Sequence, residues 1–127
     1  MKRVQLTRLQ RYYQQPVVRQ RKRANGRRYA ERDRQAVLDL LGRKCALCGC
    51  EEERWLTIDH IHGGGVQDYK NRNVGCVRRD ILKNPDAKKK YRTLCFNCNC
   101  SRHLFASDRA LKIAIRREHK RIGVCNE

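Results

Sequence analysis

No apolar run in this chain approaches the roughly 20 residues that a membrane-spanning helix needs, and no apolar secretory segment follows Met1. Neither membrane insertion nor export is therefore expected. Acidic residues are scarce: 13 Asp and Glu stand against 31 Lys and Arg, a formal net charge of +18. Residues 1–28 hold ten Lys or Arg and no acid at all. Self-repulsion on that scale adds nothing to the stability of a compact state. A polyanionic partner is the natural reading, and nucleic acid fits it better than a membrane surface. No internal repeat is present. With 127 residues and 39% apolar content there is room for one domain with a modest core, a size that often relies on a metal staple.

Eight cysteines would suit a disulfide framework in a secreted chain. Two of the pairs, Cys45 with Cys48 and Cys95 with Cys98, instead have the two-residue knuckle spacing of a tetrahedral zinc site. Without a secretory segment the thiols are expected to stay reduced. Zinc thiolates are the stronger reading, with an intracellular location in a bacterial or phage-infected cytoplasm. Cys50, Cys76, Cys100 and Cys125 read as ordinary small residues.

The chain divides into a basic arm, 1–28, and a domain, 29–127. In the arm Tyr12 and Tyr13 interrupt the positive charge, and Pro16 rules out one unbroken helix. Arg21, Lys22 and Arg23 are placed to track a phosphate backbone. A merely solvated tail and an Arg-rich transit peptide are the rival readings. Residues 29–41 predict a helix with Tyr29, Ala36, Val37, Leu40 and Leu41 on one face, stopped at Gly42. Residues 55–61 predict a strand, with Trp55 packed in the core behind it, and Gly63, Gly64 and Gly65 end it. Residues 66–90 are polar and read as an insertion with one short helix. A second strand over 91–94 leads into Cys95, a short helix follows over about 97–105, and a last helix runs over 108–122 with Ser107 as N-cap. Arg116, Arg117, Lys120 and Arg121 make that last helix strongly basic.

Phosphodiester hydrolysis needs a base for water, a cation for the developing charge, and positive groups on the backbone. Asp59 and His60 are adjacent on the first strand and point to opposite faces. An imidazole suits the base role because much of it is neutral near pH 7. His62 is the rival base. Asn99 and His103 lie four residues apart on the short helix and can reach one ion together. Oxygen ligands from Asp59 and Asn99 suit magnesium or manganese. Arg102 is placed to hold a phosphate oxygen. The bland readings are a structural strand histidine, a helix-capping Asn99, a surface His103 and a merely flexible glycine turn.

The ordered set Cys45-x-x-Cys48, Ile58-Asp59-His60-Ile61, Gly63-Gly64-Gly65 and Leu94-Cys95-x-x-Cys98-Asn99 resembles the HNH endonucleases of the ββα-metal superfamily. The likeness is to the zinc-knuckle branch common in phages and mobile elements, and covers roughly residues 28–105. The resemblance implies an α+β chain: a small ββα-metal fold with a four-cysteine structural zinc and flanking basic helices, residues 29–127 forming the nuclease domain. It implies His60 as general base and one catalytic cation, magnesium or manganese, on Asp59 and Asn99, with His103 as a possible third ligand. It also implies a structural zinc on Cys45, Cys48, Cys95 and Cys98, and cleavage to 5′-phosphate and 3′-hydroxyl ends. The chain departs from the pattern at Lys90, where relatives often carry an asparagine that braces the histidine loop. Asn71, Asn73, Asn84 or the glycine loop are the candidates to replace it. Arg102 stands where many relatives have lysine.

The expected partner is DNA, double-stranded by analogy with the family, met by a monomer or homodimer. The alternative from another class is a non-catalytic zinc-knuckle protein that binds nucleic acid. A third is a structural subunit of a ribonucleoprotein, resting on the basic tail alone.

Overall fold

In the computed structural model the described residues are 5–121. Helix α1 (Arg8–Gln14) opens on a capping box: Thr7 accepts from the Gln10 backbone N–H while the Gln10 side chain accepts from Thr7 N. Pro16 ends it and becomes the first residue of α2 (Pro16–Leu41), a position where the missing N–H costs nothing. The helix expected over 29–41 therefore starts earlier and runs unbroken through residue 28. Arg21 donates to the Tyr12 hydroxyl at 3.1 Å and the Lys22 ammonium lies 3.6 Å over the Tyr13 ring, which clasps α1 to α2. Gly42, at φ +113°, stops α2.

The sheet has two strands, β1 (Leu56–His60) and β2 (Tyr91–Cys95), paired antiparallel with Leu56 opposite Cys95, Asp59 opposite Arg92 and His60 opposite Tyr91. Between them run α3 (Gly65–Asn71), α4 (Val74–Lys83) and α5 (Ala87–Lys90). Helix α6 (Phe96–Ser101) leaves β2 directly, a 3-10 turn spans Arg102–Leu104, and α7 (Asp108–Arg121) follows. Ser107 Oγ accepts from Ala110 N at the start of α7, as its N-cap role requires. The chain is thus α+β and mostly helical. Residues 122–127, including Ile122 and Cys125, fall outside the described residues.

Two small cores flank the hairpin. One gathers Leu38, Leu56 and Leu94 with Cys45, Cys95 and Cys98, and Ile115 of α7 packs on it. The other joins Val37 of α2, Val77 and Ile81 of α4, Ala87 of α5 and Tyr91. Three expectations are corrected here. Residues 66–90 are not a polar insertion with one helix: the pair Val77 and Ile81, one turn apart, builds half the core and is fully buried. Tyr29 is not on the buried face of α2, because only the last turns of that helix meet the body; Arg32 lies over its ring instead. Trp55 is not core, since it belongs to a 3-10 turn (Glu53–Trp55) before the strand and is 57% exposed.

Candidate metal centre and active site

The first knuckle is a turn in which Gly49 N donates to Cys45 O at 2.9 Å and Cys45 N to Cys50 O at 2.8 Å. Gly49 sits at φ +75°, a conformation that favours glycine. Ala46 N donates to Thr93 O at 3.0 Å, tying the knuckle to β2. The second knuckle is the β2–α6 junction, where Cys98 N points at Cys95 Sγ at 3.5 Å. All four Sγ atoms of Cys45, Cys48, Cys95 and Cys98 lie within 4.8 Å of one another, with Cys48 and Cys95 at 3.6 Å. A tetrahedral zinc with bonds of about 2.3 Å needs sulfur separations of about 3.8 Å. The cluster therefore fits a zinc ion. Burial pushes the Cys45 thiol up, but the N–H groups of Cys48, Cys95 and Leu47 outweigh it and bring it down to about 7. Burial lifts Cys48 to about 11 and Cys98 higher still. A bound cation would reverse that penalty, since thiolates are the ligating form.

His60 ends β1. Its Nε2 lies 2.8 Å from Asp68 Oδ2, and its ring meets Tyr91 and Tyr69 edge-on at centroid distances of 4.8 and 5.7 Å. Asp68 is in turn paired with Arg72, and Arg72 with Asp80. The Arg72 guanidinium, then His60, hold the Asp68 carboxyl down at about 2. Asp68 is thus ionised at neutral pH and accepts from Nε2–H; in the neutral tautomer that this bond selects, Nδ1 is the lone-pair nitrogen. Nδ1 faces Gly65: a Cβ built there would stand 2.9 Å from it. No side chain fits between them, so the glycine lets the start of α3 pack directly against the His60 ring.

Asp59 points the other way and is buried. Arg102 Nη1 donates to its two oxygens at 2.6 and 2.7 Å, and Arg92 Nε donates to Oδ2 at 2.8 Å. Arg102 also donates to the carbonyls of His60 and Ile61, and Arg92 to Asp108 Oδ2 at 2.5 Å, which brings the start of α7 to the site. Asn99 Nδ2 donates to Thr57 Oγ1 at 3.1 Å, and its carbonyl oxygen has no donor among the described residues. Thr57 and Asp59 are two residues apart on β1 and share a face. A cleft of about 280 Å³ beside Thr57 is walled by Asn99, Tyr69, Arg34 and Arg78 among others.

Asp59, Asn99 and Arg102 are therefore brought to one side of the hairpin, and His60 to the other. Arg102 does not face outward to a phosphate; its planar fork engages Asp59 because the 3-10 turn after α6 rotates it onto the strand. The same change of helix type takes His103 off the Asn99 face, and it is exposed. His62 lies in the turn after β1, exposed, so it no longer shares the strand face of His60. Asn73 caps α4 and Asn84 caps the turn to Asp86, and neither they nor Asn71 bond His60. The loop is braced instead by Ile61 N donating to Lys90 O at 2.9 Å and by Asp68. Asp68 and Arg92 are site residues that the sequence does not single out; for Asp68 the one signal is its i,i+4 spacing from Arg72 just beyond the glycine loop. Among the basic residues, Arg23 lines an exposed groove with Arg19 and Arg27, and Arg116, Arg117 and Lys120 are exposed on α7, whereas Arg121 is paired with Glu118. No family model matches the chain, and no curated protein or solved structure matches it either.

Proposed function

We propose that the chain is an endonuclease of the HNH kind that hydrolyses phosphodiester bonds in DNA, with His60 as general base. The observation that carries this reading is the His60 environment: Nε2 held by an ionised Asp68, in a ring fixed among Tyr69, Tyr91 and Gly65. In that setting Nδ1 takes the proton of an attacking water while Asp68 stabilises the imidazolium that forms. A positioned base of this kind contributes about 10²–10⁴ in rate. The zinc cluster keeps β2, α6 and the first knuckle in register around the site. Exposed Arg23, Arg116, Arg117 and Lys120 supply phosphate contacts, so affinity falls steeply with salt.

The resemblance implies a magnesium or manganese ion on Asp59 and Asn99. The Asn99 carbonyl fits that role, whereas Asp59 does not as it stands, because two guanidinium groups already neutralise its carboxylate. This favours one second reading, a zinc-knuckle protein that binds DNA without cutting it.

Nicking of supercoiled plasmid separates the two. The native protein and His60→Ala are compared with magnesium, with manganese and with no added cation. Cleavage that His60→Ala loses while still retarding the plasmid supports the nuclease. Binding without cleavage under every condition supports the second reading. Dependence on added cation supports a metal held by Asp59 and Asn99, which would have to take the place of Arg102 on the Asp59 carboxylate.

A further inference from the structure

We infer that the cleft between Trp55 and Phe96 receives one unstacked nucleobase of the bound DNA. The inference rests on the nuclease reading for the identity of its polyanionic ligand. Trp55 and Phe96 directly flank the last ladder pair, Leu56 with Cys95, and so stand at the same end of the hairpin. They are 57% and 61% exposed, among the most exposed large apolar residues of the chain's folded body. Together they wall a cleft of about 270 Å³ whose other lining residues are Arg54, Thr57, Cys95 and Asn97. Its lining thus reaches Cys95 of the second knuckle, and Arg54, Thr57 and Asn97 are its polar members.

Two exposed aromatic faces beside a cleft mark a place where something flat and apolar docks. The net charge of +18 selects a polyanion as the molecule that carries it. A nucleobase is the flat part of such a polyanion, and stacking on aromatic side chains tolerates any base. Arg54 and Asn97 add donors at the rim, although Arg54 also pairs with Glu52 at 2.9 Å. Thr57 ties this cleft to the site: its hydroxyl accepts from Asn99 and donates to Leu94 O. A base held here anchors the strand beside Asn99. In a perfect duplex every base is already stacked, so the cleft favours DNA with an unpaired base.

Trp55 is the only tryptophan, so its fluorescence reads the cleft directly. The full-length zinc-loaded protein is titrated, without added divalent cation, with three duplexes of one sequence: perfectly paired, carrying one unpaired nucleotide, and carrying an abasic residue at that extra position. The unpaired base is expected to quench Trp55 and to bind roughly tenfold tighter than the other two. Phe96→Ala, at an exposed position, is expected to lose that preference while keeping the affinity for perfect duplex and its salt slope. Trp55→Phe keeps the preference and Trp55→Ala loses it. Equal quenching by all three duplexes overturns the inference, as does a preference that survives in Phe96→Ala. Quenching that rises with protein concentration in the absence of DNA also overturns it, by assigning the cleft to a second copy. Cleavage of the same duplexes with magnesium reads the nuclease separately. Base-dependent quenching without cleavage sinks the nuclease reading alone, and cleavage without base-dependent quenching sinks this one alone.

Discussion

Substituting Gly65 by alanine tests the site at its most constrained point. The added Cβ would stand 2.9 Å from His60 Nδ1 and 3.5 Å from Cε1 and Cγ. The ring has little freedom to retreat, with Asp68 on Nε2 and Tyr69 and Tyr91 against its faces and edges. The backbone itself does not object, because Gly65 is absent from the residues with positive φ. It opens α3, where alanine gains up to about 1 kcal/mol of helix propensity. Crowding a packed ring costs about 1–3 kcal/mol. The net loss is then roughly 0–3 kcal/mol, a fall in Tm of no more than about 15 °C for a domain of this size. Activity should fall much further, by about 10²–10⁴, because the methyl group pushes the ring of the proposed base out of its place. Plasmid nicking at a temperature well below the melt, with a melting curve on the same sample, reads both effects. Gly63→Ala is the control. Gly63 sits at φ +78° with no atom within 4 Å of an added Cβ, so it should lose about 1–2 kcal/mol from backbone strain yet retain cleavage. A folded Gly65→Ala protein that cuts within roughly threefold of native would refute the need for the His60 ring in this position.

Removal of zinc by a strong chelator under reducing conditions should abolish the cooperative melt, since structural zinc contributes on the order of 10 kcal/mol in small domains; one zinc per chain in the native protein and less in Cys95→Ser is the accompanying metal analysis, and an unchanged melt would refute the role. Ile81→Ala should lose about 2–5 kcal/mol in denaturant unfolding because Ile81 is fully buried; a loss below about 1 kcal/mol would return residues 66–90 to the status of a dispensable insertion. Asp68 links stability to acid. Its folded pKa of about 2 lies below the usual carboxylate value because of Arg72, then His60, so its contribution is complete above about pH 4 and is lost as pH falls through about 2. The stability gap between native protein and Asp68→Asn should therefore narrow from pH 5 to pH 2, and a gap that stays constant would contradict the pairing.

The parts of the fold that were legible in the chain are those fixed by neighbours in sequence. Cysteine spacing paired each knuckle internally, because two intervening residues make a turn that aims both thiols at one point. Pro16 ended one helix and began the next through its missing N–H. Ser107 capped α7, and the strands fell within a residue or so of 55–61 and 91–94, because β-branched and aromatic runs bounded by glycine are local signals. Two small cores were not legible. Val77 and Ile81 sit in a charged stretch, and a single apolar pair at helical spacing says little until Val37, Ala87 and Tyr91 are seen to close around it.

The candidate site divides the same way. The sequence by itself determined which chemistry was on offer: four thiols, an imidazole next to a carboxylate, a glycine loop and an excess of positive charge. Only the tertiary structure decided who holds whom. Asp68 reaches His60 because α3 folds back over the strand end, and Arg92 and Arg102 close on Asp59 because β2 and the turn after α6 lie against it. The Asp59 pairings join residues 33 and 43 positions apart, and the His60–Asp68 pair, eight apart, depends on how the glycine turn sets α3 against the strand. A carboxylate takes whichever guanidinium the packing delivers, and no local spacing records that choice.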